Sequence, residues 1–352
     1  MKKLLLATAV AALSVSAANA APTLYGKAFV TADYVNAEVD YPNGDDRADR
    51  ESDSVQINSN SSRIGIKGSE AMTANTDVIY RLEYGTRVDG DSDGFSNRDT
   101  YLGVVNKNFG EFRAGKNQST LDKINNVVVN DGYWDNLGGN KLEEDENYGG
   151  LNMADSSRIN SSVIWMSPKY NNLPLQLSVM YSADESFVED SDDRNSGFGA
   201  ALMFDQGTGF TAGVAYDKDQ NINNEEGGGD IIRGTATVDL GKYMAAPVTL
   251  GALYQVADFD YDRDTKKEKG LVVSGALGLS NFARPATVYV QYNKTDNLDG
   301  IDNFDSDQIV VGGKYYYQDN MIVHAYAGNN SADLGNTDAD VLAIGGGLEY
   351  LF

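Results

Sequence analysis

Residues 341–352 read VLAIGGGLEYLF and alternate like a β-strand up to the last residue of the chain. Leu342, Ile344, Leu348, Tyr350 and Phe352 share one face, because successive side chains of an extended strand point to opposite sides. The chain stops on an aromatic that keeps this parity. The segment TLYGKAFVTADYV, residues 23–35, has the same rhythm. Leu24, Gly26, Ala28, Val30, Ala32 and Tyr34 lie opposite Tyr25, Lys27, Phe29, Thr31 and Asp33.

Between these two ends the period-two pattern recurs. Strands are expected at about 55–68, over TDVIYRLEYGTRV (76–88), over RDTYLGVVNKN (98–108) and over EFRAGKN (111–117). Further strands are expected at 157–167, 174–184, 196–205, 210–219, 230–241, 247–260, 268–281, 285–295, 306–317, 321–330 and 339–352. That makes about sixteen, each long enough to cross a bilayer at a tilt. Connections around 71–75, 108–110, 169–173, 206–209, 242–246, 282–284 and 318–320 are short. Those around 37–54, 88–96, 186–195, 220–229, 261–267, 296–305 and 331–338 are longer and acidic. Short turns at one end and long loops at the other indicate an all-β chain folded as a transmembrane antiparallel β-barrel of about sixteen strands.

Composition agrees. Residues 1–20 have a basic start, an apolar stretch and Ala18-Asn19-Ala20, which reads as a signal peptide; residues 21–352 would form the barrel. Removing Lys2 and Lys3 takes the net charge of −24 to −26. An exported chain with no cysteine has no disulfides to hold it. The mean hydropathy of −0.40 fits a barrel in which only alternate residues meet lipid. There are 21 Tyr and 12 Phe to supply interfacial girdles. So acidic a chain is a poor partner for nucleic acid, whose phosphates select basic surfaces.

One stretch breaks the rhythm. Residues 118–156, QSTLDKINNVVVNDGYWDNLGGNKLEEDENYGGLNMADS, have no sustained strand period. They carry Asp131, Asp135, Glu143, Glu144, Asp145 and Glu146, with Trp134 among them. An insertion of this length is expected to be functional or disordered; inside a barrel it would narrow the lumen.

SSRIGIKGSE (61–70), LEYG (82–85), RDTYLG (98–103), GEFRAGK (110–116) and the terminal aromatic together resemble trimeric general porins of Gram-negative outer membranes, closest to the neisserial and β-proteobacterial type. The resemblance implies a homotrimer in the outer membrane, in contact with lipid and lipopolysaccharide. It also implies a third long loop folded into the lumen as a constriction, where basic wall residues face loop acids. The wall residues it implies are Lys27, Arg63, Arg98 and Arg158. Alternation supports all of these but Arg98, whose face is shared by Leu102 and Val104. It also points Arg81 and Arg113 inward, and it places Ile159, Val163 and Trp165 outward on the strand of Arg158. On the loop side, Asp131 and Asp135 precede Leu137-Gly138-Gly139, and Glu143 and Glu144 follow. Lys116 shares parity with Phe112 and Ala114, so it is expected to face outward at a trimer contact.

Other chemistry finds little support. Asp89, Asp91, Asp93 and Gly94 imitate a calcium loop, but Thr100 stands where a bidentate Glu is needed. Divalent cations at acidic loops are the one cofactor class left open. The single histidine, His324, has no nucleophile motif nearby, and no cysteine–histidine cluster exists, so no enzyme activity is expected. The expected function is a pore for passive diffusion of small hydrophilic solutes and ions, with cations preferred because of the net charge. The alternatives are a substrate-specific channel and a non-conducting structural or adhesive barrel.

Overall fold

The computed structural model describes residues 21–41, 49–90, 94–135, 151–169, 173–185, 196–222, 225–260, 264–335 and 337–352. The signal peptide expected at 1–20, and Glu143 and Glu144, lie outside them. The strands are β1 (Thr23–Asp40), β2 (Arg50–Ser59), β3 (Arg63–Thr73), β4 (Thr76–Gly85), β5 (Ser96–Asn106), β6 (Gly110–Gln118), β7 (Arg158–Met166), β8 (Leu175–Ser182) and β9 (Gly197–Asp205). They continue as β10 (Phe210–Ile222), β11 (Glu225–Asp239), β12 (Val248–Phe259), β13 (Glu268–Leu279), β14 (Ala286–Asp296), β15 (Phe304–Gln318), β16 (Met321–Leu334) and β17 (Thr337–Leu351).

All pairings are antiparallel. β2 and β3 both pair with β1, through Val39↔Arg50 to Val30↔Ser59 and through Lys27↔Arg63 to Thr23↔Lys67. They are two halves of one stave, interrupted at 60–62. β1 also pairs with β17 from Lys27↔Leu351 to Asp40↔Asp338, which closes a sixteen-stave barrel. Closure leaves no unpaired edge. At the seam Gly26 N–H donates to the Phe352 carbonyl at 2.8 Å, and Phe352 N–H donates back at 3.1 Å. A Cβ on Gly26 would come within 2.3 Å of the Phe352 ring, so the terminal aromatic requires a glycine opposite it.

The outer surface is apolar in a way that water would not tolerate. Leu24, Leu82, Leu102, Val163, Leu250, Ile309, Val311, Ile344 and Leu348 are exposed. They occupy the outward parity of their strands, as the lipid-facing side of a membrane barrel requires. Phe109, Tyr243, Phe282 and Tyr317 are exposed near the short turns, where aromatic rings suit the interface. The Trp165 indole donates to the Phe109 carbonyl there at 2.7 Å.

Three of the expected long loops are shorter than the alternation suggests. β1 and β2 reach Asp40 and Arg50, β10 and β11 reach Ile222 and Glu225, and β16 and β17 reach Leu334 and Thr337. These extensions bury Val39, Ile222, Ala332 and Ala339 inward, but outward residues such as Glu38, Asp40 and Asp338 meet water and not lipid, so no apolar outer face marks them in the sequence.

Candidate functional site

The buried core lies inside the barrel and comes from the 118–156 insertion. Trp134 and Leu151 cluster with Val310, Tyr326 and Ala343. Leu121 and Ile124 cluster with Ile231 and Ala257, and Val127 and Met153 with Leu253 and Val272. These wall residues lie opposite the exposed apolar face, so the insertion packs on the inner wall.

Its contacts trace a path. On the outgoing limb Thr120 donates to Asp217 on β10, Thr235 on β11 donates to the Ile124 carbonyl, and Ser274 on β13 donates to the Val127 carbonyl. Val129 N–H then donates to Gln291 on β14 at 2.8 Å, and Asp131 pairs with Lys314 on β15. Tyr133 N–H donates to the Tyr326 hydroxyl on β16 at 3.1 Å, and the Ser61 hydroxyl donates to Asp135 at 3.4 Å. The return limb retraces the wall. Ser306 and Asn330 donate to the Leu151 carbonyl, Asn152 donates to Gln308 at 2.9 Å, and Ala154 N–H donates to Glu268 at 2.7 Å. Arg233 on β11 then holds Asp155 at 2.9 Å, and Ser156 donates to Asp217 on β10. The insertion therefore lines the half of the barrel made by β10–β17. Inward glycines seat it: a Cβ on Gly328 would meet the Trp134 ring at 2.7 Å.

The opposite part of the wall, β3–β7, carries the arginines. Arg98 donates to Glu83 at 2.9 Å, and Arg63 lies 3.9 Å from the same carboxylate. Arg81 and Arg158 share Asp99, at 3.0 and 2.8 Å. Tyr25 donates its hydroxyl to Glu83 at 2.8 Å. The Arg81 guanidinium lies over the Tyr25 and Tyr101 rings, 6.0 and 5.9 Å from their centroids, and Arg113 lies 4.5 Å over Tyr101. Stacking of this kind orients a planar guanidinium while leaving its charge toward water. Arg63, Arg81, Arg98 and Arg158 against Glu83 and Asp99 leave a surplus of two positive charges.

The orientation of Arg98, which alternation left open, is settled by a β-bulge. Leu82 pairs with Thr100 but Tyr84 pairs with Asn97, so Arg98 and Asp99 together oppose Glu83. An extra residue of this kind re-aims a side chain, and both residues turn inward. A second irregularity corrects an expectation. Ile159 is buried against Ile164 and Met180 inside the barrel rather than facing outward with Val163. The register between β6 and β7 shifts at Gly115/Asn117, and Ser161 has φ +45°, which breaks the alternation on which the outward placement rested.

The structure brings some expected residues together and separates others. Asp135 reaches Ser61, two residues from Arg63, but Asp131 is held by Lys314, which alternation with Ile309 and Val311 could have placed inward. Arg158 is engaged by Asp99 and Lys27 lies 4.0 Å from Glu349, so neither takes Asp131 as its ion-pair partner. Arg113 donates to Glu111 at 2.5 Å. Lys116 is half-buried and sits opposite Thr100 in register. Glu83 shared the inward parity of Arg81, yet its role as an arginine hub was not foreseen; Asp99 was hidden by the bulge. On the loop, burial and then Asp155 push the Asp122 carboxyl up to about 7. Burial, and then Arg113, hold the Lys123 amine below its usual range.

A closed barrel with a lipid-facing exterior and a charged interior, half lined by its own loop, is the architecture of a membrane pore. The Gram-negative porin family profile matches residues 7–335, and the chain belongs to that family. The major outer membrane protein P.IB of Neisseria meningitidis serogroup B is 26% identical over 360 residues, covering 100% of each chain. Among solved structures, the anion-selective porin from Comamonas acidovorans superposes with a TM-score of 0.68 at 16% identity, over 95% of this chain and 100% of that one. The trimer form of OmpT from Vibrio cholerae gives 0.58 at 16% identity, over 95% and 99%. The chain is an outer-membrane porin, a channel for passive diffusion of small hydrophilic solutes and ions.

Proposed function

We propose that ion preference is set where the arginine wall of β3–β7 faces the loop that lines β10–β17. The supporting observation is the surplus of two positive charges on Arg63, Arg81, Arg98 and Arg158, with Asp131 and Asp135 held on the loop. Opposed charges across a narrow aqueous gap make a transverse field that orients dipolar solutes and hinders apolar ones. The acidic outer ends draw cations to the mouth, so the channel prefers cations, while the ladder weakens that preference within. The pore works as a homotrimer, an assembly supported by the trimer form of the OmpT neighbour, and the strand parity of Lys116 assigns it to a subunit contact.

Planar-bilayer recordings test this. In a salt gradient the wild type should show a cation-sign reversal potential. The double variant Arg63→Gln/Arg98→Gln should move it further in the cation direction. An unchanged reversal potential would refute the ladder's role, and insertion in single rather than threefold conductance steps would refute the trimer.

A further inference from the structure

The chain has one histidine and no cysteine, so an imidazole or thiolate metal ligand can come from one side chain only. That side chain, His324 on β16, is 3% exposed and sits where the loop meets the wall. Its Nε2 lies 3.1 Å from a Glu349 carboxylate oxygen on β17, and its ring rests 4.5 Å from that of Phe29. Its Nδ1 is buried without a hydrogen-bond partner, so no acceptor there fixes the tautomer. The loop brings the Asp131 carboxylate to the same place: one ligand atom from each of Asp131, His324 and Glu349 lies within 4.8 Å of the others. Phe29, Lys27 and Lys314 complete the surroundings, with Lys314 on Asp131 and Lys27 4.0 Å from Glu349.

We propose that Asp131, His324 and Glu349 form a site for a divalent transition-metal cation, such as Zn²⁺ or Cu²⁺, that fastens the loop to the barrel wall. One imidazole nitrogen with two carboxylate oxygens is a donor set suited to Zn²⁺ and Cu²⁺; Ca²⁺ and Mg²⁺ take oxygen ligands alone. His324 and Glu349 stand on adjacent, hydrogen-bonded strands, with Ile322↔Glu349 and His324↔Gly347 in register, so two of three donors are fixed before the ion arrives. In the absence of metal, Lys314 and Lys27 are the cationic neighbours of the two carboxylates. Their flexible stems let a dication displace them into the aqueous lumen, with water completing the coordination. Binding adds two positive charges beside the loop tip and restrains Asp131. Its effect on permeation rests on the reading of this loop as the narrowing element; the binding itself does not.

The test uses untagged, folded barrel, with conductance in metal-free buffer as the folding control for each variant. With Cu²⁺, electron paramagnetic resonance should show coupling to a single imidazole nitrogen, absent in His324→Gln; binding through the terminal amine would persist in that variant. Micromolar Zn²⁺ should shift the wild-type reversal potential toward anions, and Mg²⁺ at the same concentration should not. Asp131→Asn should weaken the Zn²⁺ response by about tenfold or more, since even losses around a ligand cost about that much. A Cu²⁺ spectrum unchanged in His324→Gln, or lacking imidazole coupling in the wild type, overturns the site. Imidazole coupling without any Zn²⁺ effect on current supports the site and overturns the loop's part in permeation.

Discussion

Asp122 shows how one proton bears on the loop. Its carboxyl is half-buried in the one-turn helix Leu121–Lys123 and is pushed up to about 7 by burial and then by Asp155. A free aspartate loses its proton near pH 4. Between about pH 4 and 7 the packed loop therefore holds a proton that an unpacked loop has released, so raising the pH across this window weakens packing, and the loss is complete above about 7. Open-channel current noise should rise from pH 5 to pH 8 in the wild type, and Asp122→Asn should stay quiet throughout. Equal pH dependence in both would place the titration elsewhere. The arginines obey a different residue-scale rule. Glu83 and Asp99 hold two guanidiniums each, so the ladder is a partly neutralised lattice and not a row of free cations.

At the scale of the element, Trp134 seats the loop. It is fully buried, lies over Gly328 and has its indole 3.4 Å from the Ala343 carbonyl. Truncating a buried aromatic costs about 3–5 kcal/mol, here drawn from loop docking and not from strand pairing. Trp134→Ala should leave the heat-modified gel mobility of the barrel unchanged while open-channel noise increases; a barrel that melts early would contradict this division. How much of such an element the sequence reveals depends on its surroundings. Strands at lipid depth announce themselves because one face must be apolar, which is why β4 and β17 were legible residue by residue. The hairpin extension around Asp40 and Arg50 buries Val39 inward but carries exposed charged residues outward, so it has no lipid-facing pattern to read. Bulges hide too: the Arg98–Asp99 pair needs cross-strand register to place it, and Ile159 was misplaced for the same reason. The loop's anchors at Leu121, Ile124 and Val127 follow neither the strand alternation nor a helix long enough to read, since each is set by the wall it meets.

At the scale of the molecule, the barrel is a ring closed by its own strand pairing. β1 and β17 pair over fourteen residues, Lys27↔Leu351 to Asp40↔Asp338, through backbone hydrogen bonds that do not pass through the insertion, although Trp134 packs on the seam at Ala343. Deleting residues 125–146 should leave a folded barrel, since its strands pair with one another, while removing Val127 and Trp134 from the wall of β12–β17 and uncovering part of the surface around Val310. The deletion removes Asp131, Asp135, Glu143, Glu144, Asp145 and Glu146 along with Lys141, six negative charges and one positive, so the net charge rises by 5. The arginine wall of β3–β7 stays. Two outcomes are expected together: single-channel conductance rises, because the loop no longer narrows the lumen, and the reversal potential moves toward anions, because the ladder loses its opposing acids. A rise in conductance without the shift would mean that the mouth, and not the loop–wall gap, sets ion preference. A barrel that merely presents loops to the outside would show neither.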